Sequence, residues 1–406
     1  MHVDSVVVEE PILHINNLHL PHSNILVYNL SSSIEIIQNN TITTTSDDPY
    51  RHLTETIVYK YICLTIFLIG IIGNLLSVLV FSRPSLRRRS CAIYFLALAI
   101  TDIASLCSSF IDTVLPSFNN VSLTIKSTFI CKLNPLLVYF TTDLSNFLLA
   151  VASIDRAVSI QCPVRSQYFC RARIAIYIII VMSIVFLLIN GHLFWGFEIV
   201  DEQSLKFCLP SKNKYVYYNE LYSMTYDRFY AIFDSLDMLF AVVIPFIVML
   251  ICNIIIIIRV ITSRRSITTI ASTTSQSKKS RRRHDKEKQL TIMLLGSAAA
   301  FLVFTLPTEI NDTVRAFHPS DVPQNQGAMA LITAIFIAMG QLNHAIHFYI
   351  YTLTGGVFRN ELIQLFTFSK YSLLRQKTVS SIRQTNADHQ LKNLATKRTN
   401  IDDHDI

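Results

Sequence analysis

Seven stretches of almost uninterrupted apolar residues alternate with shorter polar segments along the chain. They cover residues 58–82, 90–115, 132–157, 172–197, 233–261, 287–313 and 327–352. A helix that crosses a bilayer needs about 20 mostly apolar residues, and each stretch is long enough. A soluble helix carries charged residues along one face, whereas these stretches are apolar all round. The pattern therefore predicts an all-α fold, a bundle of seven transmembrane helices.

The positions of Lys and Arg predict the direction of each span. The loop after the first span reads RPSLRRR, the loop after the third contains Arg165 and Arg171, and the loop after the fifth contains SKKSRRRHDKEK. The segment between the sixth and seventh spans contains a single Lys or Arg residue, Arg315. Because short cytoplasmic loops are enriched in Lys and Arg, we expect an extracellular N-terminus and a cytoplasmic C-terminus in the plasma membrane.

Composition agrees with a chain that lies in lipid. Of its 406 residues 51% are hydrophobic and 16% charged, against about 25% charged in soluble domains, and the mean hydropathy is +0.40. The net charge of +7 is spread between apolar blocks, which argues against nucleic-acid binding. No charged segment followed by an apolar one opens the chain, so we expect the first span, instead of a cleaved signal peptide, to direct insertion.

The expected organisation has four parts. Residues 1–55 form a disordered extracellular segment, 56–354 the transmembrane domain, 355–367 a short amphipathic eighth helix, and 368–406 a disordered cytoplasmic tail. Glycosylation sequons at Asn29, Asn39 and Asn120 fall on the extracellular side, as that modification requires.

The same orientation sorts the eight cysteines. Only Cys131 and Cys208 reach the oxidising side, so we expect a disulfide between them. No Cys or His grouping has the spacing of a zinc site, and no metal centre is expected.

Two polar residues lie inside the early spans. Asn74 has the character of a helix–helix hydrogen-bonding residue, whereas Asp102, among apolar neighbours, must be paired, protonated or bound to a cation. Ser145 in the third span and Asn343 in the seventh are able to complete a cation site with Asp102.

A second polar feature, Asp155-Arg156, ends the third span at its cytoplasmic side. Glu287 opens the sixth span at the same side, twenty residues before Pro307. An Arg156–Glu287 pair would hold the two helices together, and kinks at Pro245 and Pro307 would let the inner ends of the helices swing. Such a bistable element is what a switch needs.

These motifs, in this order, resemble the rhodopsin-like (class A) G-protein-coupled receptors over residues 56–367. The matching segments are GN at 73–74, LALAITD at 96–102, Cys131 with Cys208, SIDRA at 153–157, Pro245, FLVFTLP at 301–307, NHAIHFYIY at 343–351 and GGVFRNELIQLF at 355–366. The resemblance implies a receptor that activates heterotrimeric G proteins by outward movement of helix six, with kinases and arrestin acting on the tail. It implies an activation switch at Asp155, Arg156, Glu287, Phe301, Thr305, Pro307 and Tyr351. It also implies an allosteric sodium ion at Asn74, Asp102, Ser145 and Asn343, and no other cofactor.

Three departures from the family pattern stand out. Ala157 replaces the Tyr of the Asp-Arg-Tyr motif, Thr305 replaces the Trp of helix six, and His347-Phe348 replaces the Asn-Pro that usually precedes Tyr351 by four and three residues. Together they bring the usual activation toggle into question.

The sequence excludes two classes of ligand and favours a third. The seventh span has no Lys, which excludes a retinal Schiff base, and Val138 stands where amine receptors carry Asp. A Tyr-rich, charged loop before the fifth span suits a peptide. The candidate ligand-binding residues are mostly acidic and include Asp112, Asp143, Asp234, Asp237, Glu309, Asp312 and Gln341. These carboxylates favour a peptide ligand that carries Arg or Lys. The amino-acid sequence of the seventh span and the segment after it resembles most the invertebrate neuropeptide receptors of the FMRFamide type.

Other functions stay open at this point. One is a class A receptor for a lipid or small molecule, which does not need the carboxylates. Another is a transporter, although transporters usually show two similar halves and seven spans do not divide evenly. An enzyme is not expected, because no catalytic motif is present.

Overall fold

The computed structural model describes residues 49–119, 122–202, 205–217, 223–270, 278–308, 310–311 and 326–367. In these ranges seven helices are long and apolar enough to cross a membrane, which confirms the predicted all-α seven-helix fold. They are α1 (Leu53–Phe81), α2 (Ser90–Phe118), α3 (Thr128–Gln161), α4 (Ala172–Gly196), α5 (Tyr226–Arg259, continuing as helix to Ile270), α6 (Lys278–Phe304) and α7 (Gln326–Thr354). A further helix, α8, follows at 356–367.

Two small antiparallel hairpins lie at one end of the bundle. Strand β1 (Phe197–Glu202) pairs with β2 (Leu205–Pro210), and β3 (Tyr215–Tyr217) pairs with β4 (Ser223–Thr225). We call this the hairpin end. The opposite end, where α3 finishes, is called the Arg156 end.

An aromatic cluster fills the core near the Arg156 end. Phe81, Phe95, Tyr351 and Phe358 are almost fully buried, and the Tyr351 ring lies 5.4 Å from Phe81 and 4.9 Å from Phe95 between centroids. Phe358, in α8, lies 5.2 Å from Phe81. The cluster therefore attaches α8 to α1, α2 and α7.

The outer surface of the bundle is apolar. Only 6% of the most apolar 18-residue stretch of α4 is buried inside the bundle, and Leu188 and Tyr177 on that helix are among the most exposed apolar side chains. A surface of this kind suits hydrocarbon in place of water, so the bundle is that of a multi-pass membrane protein.

Prolines explain irregular segments in α2 and α5, whereas a third π-helical segment, Leu53–Cys63 of α1, contains no proline. Residues Phe110–Val114 of α2 and Met238–Val243 of α5 are π-helical. Pro116 lacks the N–H that would bond the Asp112 carbonyl, and Pro245 lacks the one that would bond Ala241. In α6 the α-helix is interrupted at Thr305, two residues before Pro307, and resumes at 306–308. Each of these three prolines thus follows an irregular turn, whereas Pro135 lies within the uninterrupted α-helix of α3.

Two glycines let α1 approach α7 closely. A Cβ on Gly70 would lie 3.1 Å from the Ala345 Cα, and one on Gly73 would lie 3.0 Å from the Phe348 Cβ. Small residues at such contacts are typical of membrane bundles, and here they bring the α7 residues next to α1 and α2.

Candidate functional site

At the hairpin end, a disulfide joins the bundle to the longest connecting loop. Cys131, near the start of α3, is bonded to Cys208 on β2, with 5.6 Å between their Cα atoms, so the predicted pairing is present. Cys208 lies opposite Ile199 in the β1–β2 register. The hairpin is consequently held beside the start of α3.

Asp112 lies in the π-helical segment of α2 and faces α3. Its carboxylate accepts a hydrogen bond from the Asn134 side-chain amide. Asp112 Oδ1 and Asn134 Oδ1 are both buried, and neither has a hydrogen-bond partner among the described residues. The next residue, Thr113, accepts a bond of 3.0 Å from Gln341 of α7. Here α3 and α7 contact successive residues of α2, and Asp112 and Asn134 each keep one acceptor oxygen without a donor in the described part of the chain.

Asp143 and Asp234 are occupied by partners within the protein. Asn190 of α4 donates to Asp143 at 2.7 Å, and Asp143 is 2% exposed, so it lies between α3 and α4. Asp234 accepts from the Tyr139 hydroxyl, which lies 2.6 Å from the Tyr230 hydroxyl. Both carboxylates therefore have a structural explanation that does not involve a ligand.

For three other predicted ligand residues, the structure does not test a role in ligand binding. Asp237 is half-buried on α5 and close enough to Tyr230 to interact electrostatically. Glu309 and Asp312 lie outside the described residues, as do Asn29, Asn39 and Asn120, and all of these stay predictions.

Asp102 lies in the middle of the bundle with no solvent exposure. His344 Nδ1 is 2.8 Å from its Oδ1, and His347 Nδ1 is 2.8 Å from its Oδ2. Ser145 donates to Oδ1 at 3.1 Å. Asn74 instead donates to the His344 carbonyl, at 2.9 Å. Asn343, the residue before His344, is buried. The structure therefore unites Asp102 with Ser145 and with two imidazoles that were not predicted at this site.

At the Arg156 end, Asp155 and Arg156 form a buried ion pair. Arg156 Nη2 lies 2.8 Å from Asp155 Oδ2, and Ser90 of α2 donates to the same oxygen at 2.9 Å. This pair answers why charges end an apolar helix, because each charge has a partner there. The Glu287 side chain lies outside the described ones, so its pairing with Arg156 stays a prediction.

The remaining predicted switch residues lie along α6 and α7. Phe301 is fully buried in the core, Thr305 is nearly so, and the Thr305 N–H bonds the Phe301 carbonyl at 2.9 Å. Pro307 lies two residues after the interruption of α6 at Thr305. Tyr351 lies in the aromatic cluster, with its ring parallel to that of His347.

A contact between α6 and α8 was not predicted. The Val357 N–H, in the first turn of α8, donates to Gln289 Oε1 of α6 at 2.5 Å. Arg83 pairs with Glu361 of α8 at 2.9 Å. Thus α8 is bonded both to the end of α1 and to α6, the helix that is expected to move outward on activation.

Sequence reasoning missed Asn134, Asn146, His344 and Gln289. A signal existed for the histidine, because His344 and His347 are three residues apart and so share a helix face, and buried polar residues in spans usually serve a function. Nothing in the sequence pairs Asn146 with α5 or Gln289 with α8, because those contacts join distant segments.

Comparison with known proteins agrees with this architecture. Residues 73–351 match the model of the seven-transmembrane receptor (rhodopsin) family. An FMRFamide peptide receptor (frpr-18) of Caenorhabditis elegans is 30% identical over 130 residues, 30% of each chain. Galanin receptor 2b of Danio rerio is 25% identical over 171 residues, 41% of this chain and 43% of that receptor. The aligned parts span less than half the length of these curated relatives.

The family match covers more than half of the chain, and the relatives are receptors, not enzymes. It confirms the resemblance drawn from the motifs at 96–102, 153–157 and 301–307, including the likeness to receptors of the FMRFamide type. The chain belongs to the rhodopsin family of seven-transmembrane receptors.

Proposed function

We propose that this protein is a plasma-membrane receptor for an extracellular basic or amidated peptide, and that it activates heterotrimeric G proteins by outward movement of α6. The family supports the signalling function. One relative is named for the peptide FMRFamide, which contains an arginine and a C-terminal amide. A cationic, amide-bearing ligand is the chemistry that the hairpin end suits best.

The proposed orientation places the hairpin end outside. The 83–89 loop, the C-terminal end of α5 and the N-terminal end of α6 lie at the opposite end. Each contains Lys or Arg, and these residues favour the cytoplasmic side. The disulfide lies at the hairpin end, where an oxidising compartment would allow it to form. The two features are independent and agree.

The observation that carries the ligand class is the acceptor pair of Asp112 and Asn134. A buried carboxylate needs hydrogen-bond donors, and Asn134 supplies one of them. Asp112 Oδ1 and Asn134 Oδ1 have no donor among the described residues. A guanidinium offers five N–H donors and no acceptor, and a terminal amide offers two. Both groups match two neighbouring acceptors, and the guanidinium also matches the charge.

The test uses a matched pair of peptides. Amidated peptides ending in Arg-Phe-amide are compared with versions in which citrulline, a neutral group of the same shape, replaces the arginine. Calcium is recorded through a promiscuous G protein in cells that express the full chain. We expect the wild type to prefer arginine by about 10-fold or more, since hydrogen bonds to charged groups contribute about 1.5–3 kcal/mol. Asp112→Asn should remove most of that preference.

Asp143→Asn is the matched control, because Asp143 is occupied by Asn190 between α3 and α4. It should leave the ratio of arginine to citrulline potency unchanged. An unchanged ratio in Asp112→Asn would contradict the acceptor-pair assignment. If no amidated peptide activates a receptor that is present at the surface, while a neutral lipid does, the peptide proposal is wrong and the lipid alternative replaces it.

Signalling itself is tested with Arg156→Ala in the same assay. Arg156 lies at the end of α3 next to the basic loops, and we expect loss of the calcium response at normal surface level. Kinases and arrestin would act on Ser and Thr residues at 266–277 and 377–385, where phosphate adds negative charge beside basic residues.

A further inference from the structure

The family resemblance implies a sodium ion at Asp102, and the residues of this chain do not fit one. Three donors surround the carboxylate: His344 and His347 at 2.8 Å each and Ser145 at 3.1 Å. A carboxylate offers about four lone-pair positions on its two oxygens. Three of them are used by groups of the protein itself.

The N–H groups of the two imidazoles also repel a cation, because they point at the carboxylate oxygens. A carboxylate only accepts hydrogen bonds, so each Nδ1 that bonds it carries its hydrogen there. That hydrogen bears partial positive charge and lies where a cation would approach Asp102. Hard cations take oxygen ligands, and an imidazole N–H offers them no lone pair. A neutral imidazole donates as a charged one does, so this obstacle does not depend on the protonation state.

The other oxygens of the implied site do not compensate. Asn74 Oδ1 and Asn343 Oδ1 have no hydrogen-bond partner among the described residues, and both belong to neutral amides. The Asn74 amide N–H₂ is used on the His344 carbonyl. A sodium ion near these amides would lack a free carboxylate, the one full negative charge among the four implied residues.

We propose that His344 and His347 replace the sodium ion as the link between α2 and α7. They are positioning residues: they hold the Asp102 carboxylate directly, so the arrangement of these helices does not respond to sodium. The His347 ring lies parallel to the Tyr351 ring, with 10° between the planes and 6.1 Å between centroids. The link thus continues one turn further into the aromatic cluster that holds α8.

The test needs no ligand and is independent of the proposed peptide. The full chain is purified in detergent micelles, and its thermal unfolding midpoint is measured in sodium chloride and in choline chloride, each at about 0.15 M. An ion that binds the folded state raises the midpoint. We expect equal midpoints for the wild type, and a higher midpoint in sodium would overturn the proposal.

The double variant His344→Ser/His347→Asn tests the cause. It replaces both imidazoles with side chains that offer oxygens and frees the carboxylate. We expect a midpoint that is higher in sodium than in choline, and we expect Asp102→Asn in the same background to remove that difference. A folded double variant that ignores sodium would show that the imidazoles are not what excludes the ion. If the double variant does not fold, His347→Asn alone is measured in its place, with the same expectation of a higher midpoint in sodium than in choline. The wild-type comparison, in which equal midpoints are expected, does not depend on either variant.

Discussion

A single amide, that of Asn146, compensates for a hydrogen bond that Pro245 removes from α5. The Ala241 carbonyl is the one that the residue at position 245 would bond in a regular helix, and Asn146 of α3 donates to it at 3.0 Å. In lipid an unbonded carbonyl is costly. The proline and the asparagine are therefore one unit, although 99 positions separate them.

We expect Asn146→Ala to destabilise the folded bundle by about 0.6–1.7 kcal/mol, the range of interhelical hydrogen bonds in membranes. Thermal unfolding of the purified receptor measures the change. In a Pro245→Ala background the helix supplies its own N–H to Ala241, so the effect of Asn146→Ala should shrink. Equal effects in both backgrounds would mean that the two residues are not coupled.

At the scale of elements, a side chain of α6 makes a hydrogen bond to the start of α8. Gln289 Oε1 caps the first turn of α8 through the Val357 N–H, and Gln289 is half-buried. The interruption of the α-helix at Thr305 gives α6 a place to bend. If α6 moves outward on activation, this contact must break, so it stabilises the state seen here.

Gln289→Ala should accordingly raise ligand-independent signalling about fivefold, since one hydrogen bond of about 1 kcal/mol shifts a two-state equilibrium by that factor. Second-messenger level at matched surface expression is the measurement. Gln289→Glu keeps an acceptor for the Val357 N–H and should remain near the wild type. Raised signalling in both variants would point to a cause other than the cap.

The whole molecule has one predicted orientation, which rests on the loops. We expect an epitope at the N-terminus to be detected on intact cells and one at the C-terminus only after permeabilisation, because the basic loops remain cytoplasmic. The reverse pattern would contradict the orientation and, with it, the placement of the peptide site.

Glycan mapping gives a second check at this scale. Treatment with a glycosidase should lower the apparent mass, and Asn29→Gln with Asn39→Gln should remove most of that shift, since both sequons precede the first span. The Asn120→Gln variant separately tests the α2–α3 connection. No shift in any of them would leave the sequons as chance patterns.

The sequence by itself determined the seven spans, the family and the pairing of Cys131 with Cys208. These depend on properties of single segments: the length and apolar character of each stretch, the order of short motifs, and the sidedness of the loops. Each expected span overlaps an observed helix, because a segment that is apolar over about 20 residues has few alternatives in a bilayer.

Only the tertiary structure decided which polar side chains meet. Membrane helices that are apolar all round carry no amphipathic stripe to mark their inner face, so the rotation of each helix follows from packing against its neighbours. That packing turned Asp143 towards Asn190 and brought His344 and His347 onto Asp102. It also left one oxygen of Asp112 and one of Asn134 without a donor among the described residues. The close approach of α1 and α7 at Gly70 and Gly73 is a property of both helices together, which no single segment encodes.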